Sequence, residues 1–80
     1  MKLPRDLGGE ELAARLRRHG YETTRQAGSH IRLTTFKQGE HHVTIPRHNP
    51  LRVGTLNAVL RDVADHLGVT RDELIRSLME

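Results

Sequence analysis

From Glu10 to Gly20 the apolar positions Leu12, Ala13 and Leu16 recur at helical spacing, with glutamates leading and arginines following. That order of charge suits the helix dipole, and Gly20 supplies a left-handed stop, so "EELAARLRRHG" predicts a short amphipathic helix. The period then shortens to two. "YETTRQ" reads as a strand, followed by a turn at Ala27-Gly28. In "SHIRLTTF", Ser29, Ile31, Leu33 and Thr35 share one face while His30, Arg32, Thr34 and Phe36 share the other. "KQGE" is a glycine-containing hairpin connection. "HHVTIP" buries Val43 and Ile45, turns His42 and Thr44 away, and ends at Pro46. Helical spacing returns in "TLNAVLRDVADHLG", where Leu56, Val59, Leu60, Val63 and Leu67 form a stripe that Gly68 closes. Thr70 and Glu73 have the spacing of a capping box for a last short helix carrying Leu74, Ile75 and Leu78.

These elements follow in the order α-β-β-β-α with an added C-terminal helical segment, the pattern of an α+β fold. Both helices pack naturally on one face of a three-stranded antiparallel sheet, and the other face stays wet. His30, Arg32 and His42 are expected on that open face. No repeat or linker interrupts the pattern, so residues 1–80 read as a single domain.

Charge sharpens the picture. Residues 1–52 hold ten Lys/Arg against five Asp/Glu and five of the six histidines, whereas residues 53–80 hold three against five. A basic body with a mildly acidic tail points to a polyanionic partner. Only two aromatic residues, Tyr21 and Phe36, are present, which argues against a surface that stacks single-stranded bases on a row of rings. Cysteine is absent, so disulfide and thiolate chemistry are excluded. No apolar run is long enough to cross a membrane and the first residues lack the core of a signal peptide, so a cytoplasmic location and no membrane partner are expected. In a chain this short an active site should be open rather than deep.

Six histidines invite a metal, but the pattern discourages one. His41 and His42 are strand neighbours and point apart, and His19 and His66 fall on different helices. His30, His42 and His48 could build a site if they converged, but neither metal nor cofactor is expected. Ser29 lacks a histidine on its own side of the strand to activate it. What remains is His30 beside Arg32 on an open basic sheet. Histidine serves both halves of a proton transfer near neutral pH. RNA brings its own nucleophile, the 2′-hydroxyl, so one base and nearby guanidinium groups suffice to cleave it. A second candidate region is Arg47, His48, Arg52, Gly54 and Thr55, where a helix start offers unpaired N–H groups to phosphate. The simpler reading of that region makes Thr55 the N-cap.

The linked pattern of Gly20, Gly28-Ser29-His30, Pro46-x-His48 and Gly54-Thr55-Leu56 resembles the HicA (YcfA-like) toxins of toxin–antitoxin pairs, from about Glu10 to Leu78. The resemblance implies a fold like the double-stranded-RNA-binding domain and a translation-independent mRNA endoribonuclease, which the one-base chemistry above makes metal-independent. It places the essential catalytic histidine at His30; on the reading of the residues themselves, Arg25, Ser29, Arg32, Arg47, His48, Arg52, Gly54 and Thr55 are the candidate RNA and phosphate contacts. It also implies a HicB antitoxin that covers the region. The chain departs from the family at Ile31, which alternation puts in the core, and in a slightly longer closing segment. A non-catalytic RNA-binding module using the same basic face is the alternative.

Overall fold

The structure, a computed structural model, describes residues 6–79; residues 1–5 and 80 lie outside the described residues. Helix α1 spans Gly9–Leu16 and tightens into a 3₁₀ turn at Arg17–His19, three residues short of the α-helix the spacing predicts. The reason is burial: Leu12 and Leu16 are fully buried, whereas none of Arg17–His19 is, so packing ceases to hold the α-geometry beyond Leu16. Gly20 ends the segment with φ of 82°, in the left-handed region as expected.

Strands β1 (Glu22–Ala27), β2 (His30–Thr35) and β3 (His41–Pro46) form an antiparallel sheet in that order. The β1–β2 turn sits at Gly28-Ser29, one residue later than expected. Ala27 pairs with His30, and Gly28 takes the positive φ of 57° that a two-residue hairpin loop demands at its first position. Helix α2 (Val53–Leu67) and helix α3 (Arg71–Met79) follow.

One face of the sheet is covered. Ile31, Leu33, Val43 and Ile45 join Leu12 and Leu16 of α1, the α2 stripe and Leu74, Ile75 and Leu78 of α3 in one core. Each such side chain contributes about 1.5–3 kcal/mol by leaving water. The departure at Ile31 is therefore a core residue, 2% exposed. Helix α3 is held at both ends. Its start is the anticipated capping box, with the Thr70 N–H donating to Glu73 Oε1 at 2.9 Å and the Glu73 N–H to Thr70 Oγ1 at 3.0 Å. At its end Arg15 Nη1 donates to the Leu78 carbonyl at 2.7 Å and Arg18 Nη1 to the Ser77 carbonyl at 2.9 Å.

A polar seam closes the far end of the core. Tyr21 is fully buried and its hydroxyl lies 2.7 Å from His41 Nδ1, while His41 Nε2 lies 3.1 Å from Asp62 Oδ1. The Asp62 carboxylate can only accept, so Nε2–H donates to it and Nδ1 accepts from the phenol. The His66 ring stacks on His41 at 4.3 Å and its Nε2 donates to the carbonyls of Lys37 and Gly39. Burial, with Asp62 adding to it, pushes the Tyr21 phenol up to about 12. Sequence periodicity assigned these histidines no role; the fold uses them to tie α2 to the β2–β3 hairpin.

Candidate nucleic-acid interface

The uncovered face of the sheet carries three cross-strand rows. Partners in an antiparallel pair share a face, so the register places Glu22, Thr34 and His42 together, then Arg25, Arg32 and Thr44, then Ala27, His30 and Pro46. His30, Arg32 and His42 are all exposed there, as alternation predicts.

Arg25 reaches this face through an irregularity that the sequence pattern does not announce. Between Thr23 and Arg25 the register shifts, leaving Thr24 as the extra residue of a β-bulge. Thr24 Oγ1 lies 2.9 Å from Thr34 Oγ1, which in turn lies 2.7 Å from His42 Nδ1, and this hydroxyl cluster buries Thr34 on a face otherwise open. Without the bulge Arg25 would face the helices. With it, two arginines stand directly opposite each other, and among the described residues neither makes a hydrogen bond or ion pair with its side chain. Like charges in that position oppose folding, so the pair is costly to the fold and suited to an anion.

His30 opens β2 with backbone held on both sides. It pairs with Ala27 and Pro46, and the Arg47 N–H donates to the Ser29 carbonyl at 2.7 Å. Its lateral neighbours are a methyl group and a proline ring, and no described residue bonds the imidazole. Arg32 lies two residues further along the same face, roughly 6–7 Å at strand rise. His42 is excluded as a second proton-transfer group at this centre. It pairs with Thr34, four residues or about 13 Å along the strand from His30, and its Nε2 is taken by Glu40 at 2.7 Å.

The second candidate region divides. Arg47 and His48 continue from Pro46 beside His30, and the His48 carbonyl accepts from the Gly9 N–H at 2.9 Å. Arg47 is not a free cation: its Nη2 lies 2.9 Å from Glu10 Oε1. Thr55 is not the N-cap. Helix α2 begins at Val53 with Arg52 as cap residue, in extended backbone and without a side-chain cap bond. Leu51 fixes this entry point, being buried and donating its N–H to the Leu7 carbonyl, so the chain turns helical three residues earlier than Thr55 as cap would give, with Arg52 rather than Thr55 in the cap position. The first intrahelical bond runs from the Leu56 N–H to the Arg52 carbonyl, leaving the N–H groups of Val53, Gly54 and Thr55 directed out of the helix start. Arg52 is exposed, and no described residue pairs with its side chain.

Among the described residues no three His, Cys, Asp or Glu side chains approach closely enough to hold a metal ion. No described helix is long and apolar enough to cross a membrane. The fold thus brings His30, Arg25, Arg32, Ser29 and the Arg47–His48 turn to one end of the open sheet. A family model, the HicA toxin of bacterial toxin–antitoxin systems, matches residues 9–64. The match ends within α2, so α3 falls outside it although the resemblance noted above runs to Leu78. No curated protein and no solved structure matches the chain.

Proposed function

Since this chain belongs to the HicA toxin family and is the toxin of a toxin–antitoxin pair, we propose that it is an mRNA endoribonuclease that works without a metal and uses His30 as its acid–base group. The observation that carries this reading is the pair of unneutralised arginines, Arg25 and Arg32, set beside an unclaimed imidazole on the open face.

In this mechanism the RNA backbone lies along the exposed face of β2. Arg25 and Arg32 receive the non-bridging phosphate oxygens, the bidentate geometry to which guanidinium groups are suited. Neutral His30 takes the proton from the 2′-hydroxyl. The 2′-oxygen attacks the adjacent phosphorus and the bond from phosphorus to the 5′-oxygen breaks. A 2′,3′-cyclic phosphate and a 5′-hydroxyl result, the latter protonated by water or by His48. One acid–base group supplies about 10²–10⁴-fold and the arginines act on the charge that builds at phosphorus, so turnover is slow. Arg52 and the free N–H groups of the α2 start extend the phosphate track, with Ser29 at the turn beside His30. A HicB-type antitoxin suits the same basic face, covering it in the cytoplasm until released.

The test is incubation of the purified protein with labelled mRNA in EDTA, beside His30→Ala. His30 is exposed and its side chain bonds no described residue, so its truncation leaves the fold intact, which circular dichroism checks. Cleavage by the wild type alone is expected. Cleavage by both proteins removes His30 from the chemistry. Binding of RNA by both with cleavage by neither makes the protein a non-catalytic RNA-binding module.

A further inference from the structure

At the turn after β3, whose Arg47 N–H bonds the Ser29 carbonyl next to His30 in the chain, the molecule has a cavity that the phosphate track does not use. It is about 250 Å³ in volume and lies between the start of α1, Gly8 to Glu11, and the turn after β3, Arg47 to Asn49, which together line it. Its shape depends on the two glycines. A Cβ on Gly9 would stand 1.9 Å from the Pro46 carbonyl oxygen, and one on Gly8 would stand 2.9 Å from Asn49 Oδ1. The α1 start is thereby seated against the strand end that pairs with His30, and the Asn49 side chain is laid against Gly8.

The lining is wrong for a phosphate. The Arg47 guanidinium is neutralised by Glu10, and Glu11 adds a further carboxylate at the rim, itself bonded to Arg15 at 3.0 Å. An anion gains nothing by entering. A neutral, flat, hydrogen-bonding group does. The volume falls just below the ~300 Å³ at which pockets for drug-sized ligands begin, enough for one ring system. Asn49 makes no side-chain hydrogen bond to any described residue. A free primary amide offers a donor and an acceptor side by side, the pattern that pairs with N7 and the exocyclic amino group of a purine. His48 supplies an imidazole at the same turn, an aromatic surface of the kind that stacks unpaired bases.

We infer that this cavity is a subsite for a purine base of the bound RNA, with the Asn49 amide reading its edge. The inference rests on the ribonuclease reading above, and it makes the base next to the scissile phosphate a determinant of where the strand is cut.

The test uses uncharged nucleosides, which isolate the base from the phosphate. Amide NMR spectra of the whole chain are recorded during titration with adenosine, guanosine, cytidine and uridine, and separately with inorganic phosphate. Adenosine or guanosine should shift the amides of Gly8, Gly9, His48 and Asn49, and phosphate should shift those around His30 and Arg32 instead. Asn49→Ala should abolish the nucleoside shifts and keep the phosphate shifts. Should that variant fail to fold, the wild-type titrations decide alone. The inference is overturned if no nucleoside perturbs the cavity, or if cytidine and uridine perturb it as strongly as the purines. Because binding is read without cleavage, purine shifts in a protein that cuts no RNA would sink the ribonuclease reading and leave the subsite standing.

Discussion

Gly9→Ala sets two physical effects against each other at one residue. Gly9 is the first residue of α1, and alanine is worth up to about 1 kcal/mol over glycine in a helix. On propensity alone the change stabilises the protein. The tertiary contact reverses the sign: the new methyl group would lie 1.9 Å from the Pro46 carbonyl oxygen, a main-chain atom that no rotamer change can move. Reaching ordinary contact requires a shift of roughly 1.5 Å at the α1 start or the β3 end, and overpacking of this kind costs about 1–3 kcal/mol. The shift also strains the 2.9 Å bond from the Gly9 N–H to the His48 carbonyl, worth about 1 kcal/mol. The net expectation is a loss of about 1–3 kcal/mol, read as a fall in urea midpoint of roughly 1–2 M for a domain of this size. Gly54→Ala is the control. It lies in the first turn of α2 with nothing within 4 Å of its added methyl group, so the same substitution should raise the midpoint slightly. A Gly9→Ala midpoint equal to or above that of the wild type would refute the close approach of α1 to β3.

Arg25→Thr removes one of two facing like charges. Folding stability should stay level or rise by a few tenths of a kcal/mol, while RNA affinity falls and the slope of log K against log salt drops by about one; weaker folding with unchanged salt dependence contradicts the phosphate role. Tyr21 is the only tyrosine and tryptophan is absent, so absorbance near 295 nm reports its ionisation alone. Its folded-state pKa is raised, so phenolate should form only towards pH 12, and stability present below the unfolded value near 10 should be lost as pH rises through that window. A titration centred at 10 in the folded protein would mean the phenol is not buried against His41. At the α3 start the Thr70 backbone N–H, and then its hydroxyl, hold the Glu73 carboxyl below the usual range. Glu73→Gln should therefore lower the Tm above the unfolded carboxyl pKa, and the difference from wild type should close as pH falls through the folded value. An offset independent of pH would assign the effect to something other than charge.

Local pattern was sufficient for most of the fold, because each element here is specified by its own stretch of chain. Alternation put Ile31, Leu33, Val43 and Ile45 inward and His30, Arg32 and His42 outward. Gly20 and Gly68 mark helix ends by the positive φ they alone tolerate cheaply, and the Thr70–Glu73 spacing is a cap whose two bonds are local. Comparison with the family through Gly28-Ser29-His30 and the Pro46-x-His48 pair likewise needs only sequence.

What the chain order alone left open depends on contacts between residues far apart. Uninterrupted alternation places Arg25 on the covered side; only pairing with β2 creates the bulge at Thr24 that turns it toward Arg32. Capping preference favours Thr55, yet the α2 start is fixed by Leu51 in the core and its bond to Leu7, which outweigh the half to two kcal/mol of a cap. His41 and His66 have no readable role until their stacking, and the bonds of His41 to Tyr21 and Asp62, join α2 to β3 and to the residue before β1. The cavity after β3 exists only because Gly9 lies against the Pro46 carbonyl and Gly8 against the Asn49 side chain, contacts between segments far apart in the chain. The sequence determined which residues form strands and helices and which faces they bury, since periodicity is a local property. The tertiary structure decided which charges face each other and which side chains share a site, because these follow from register and packing between distant segments.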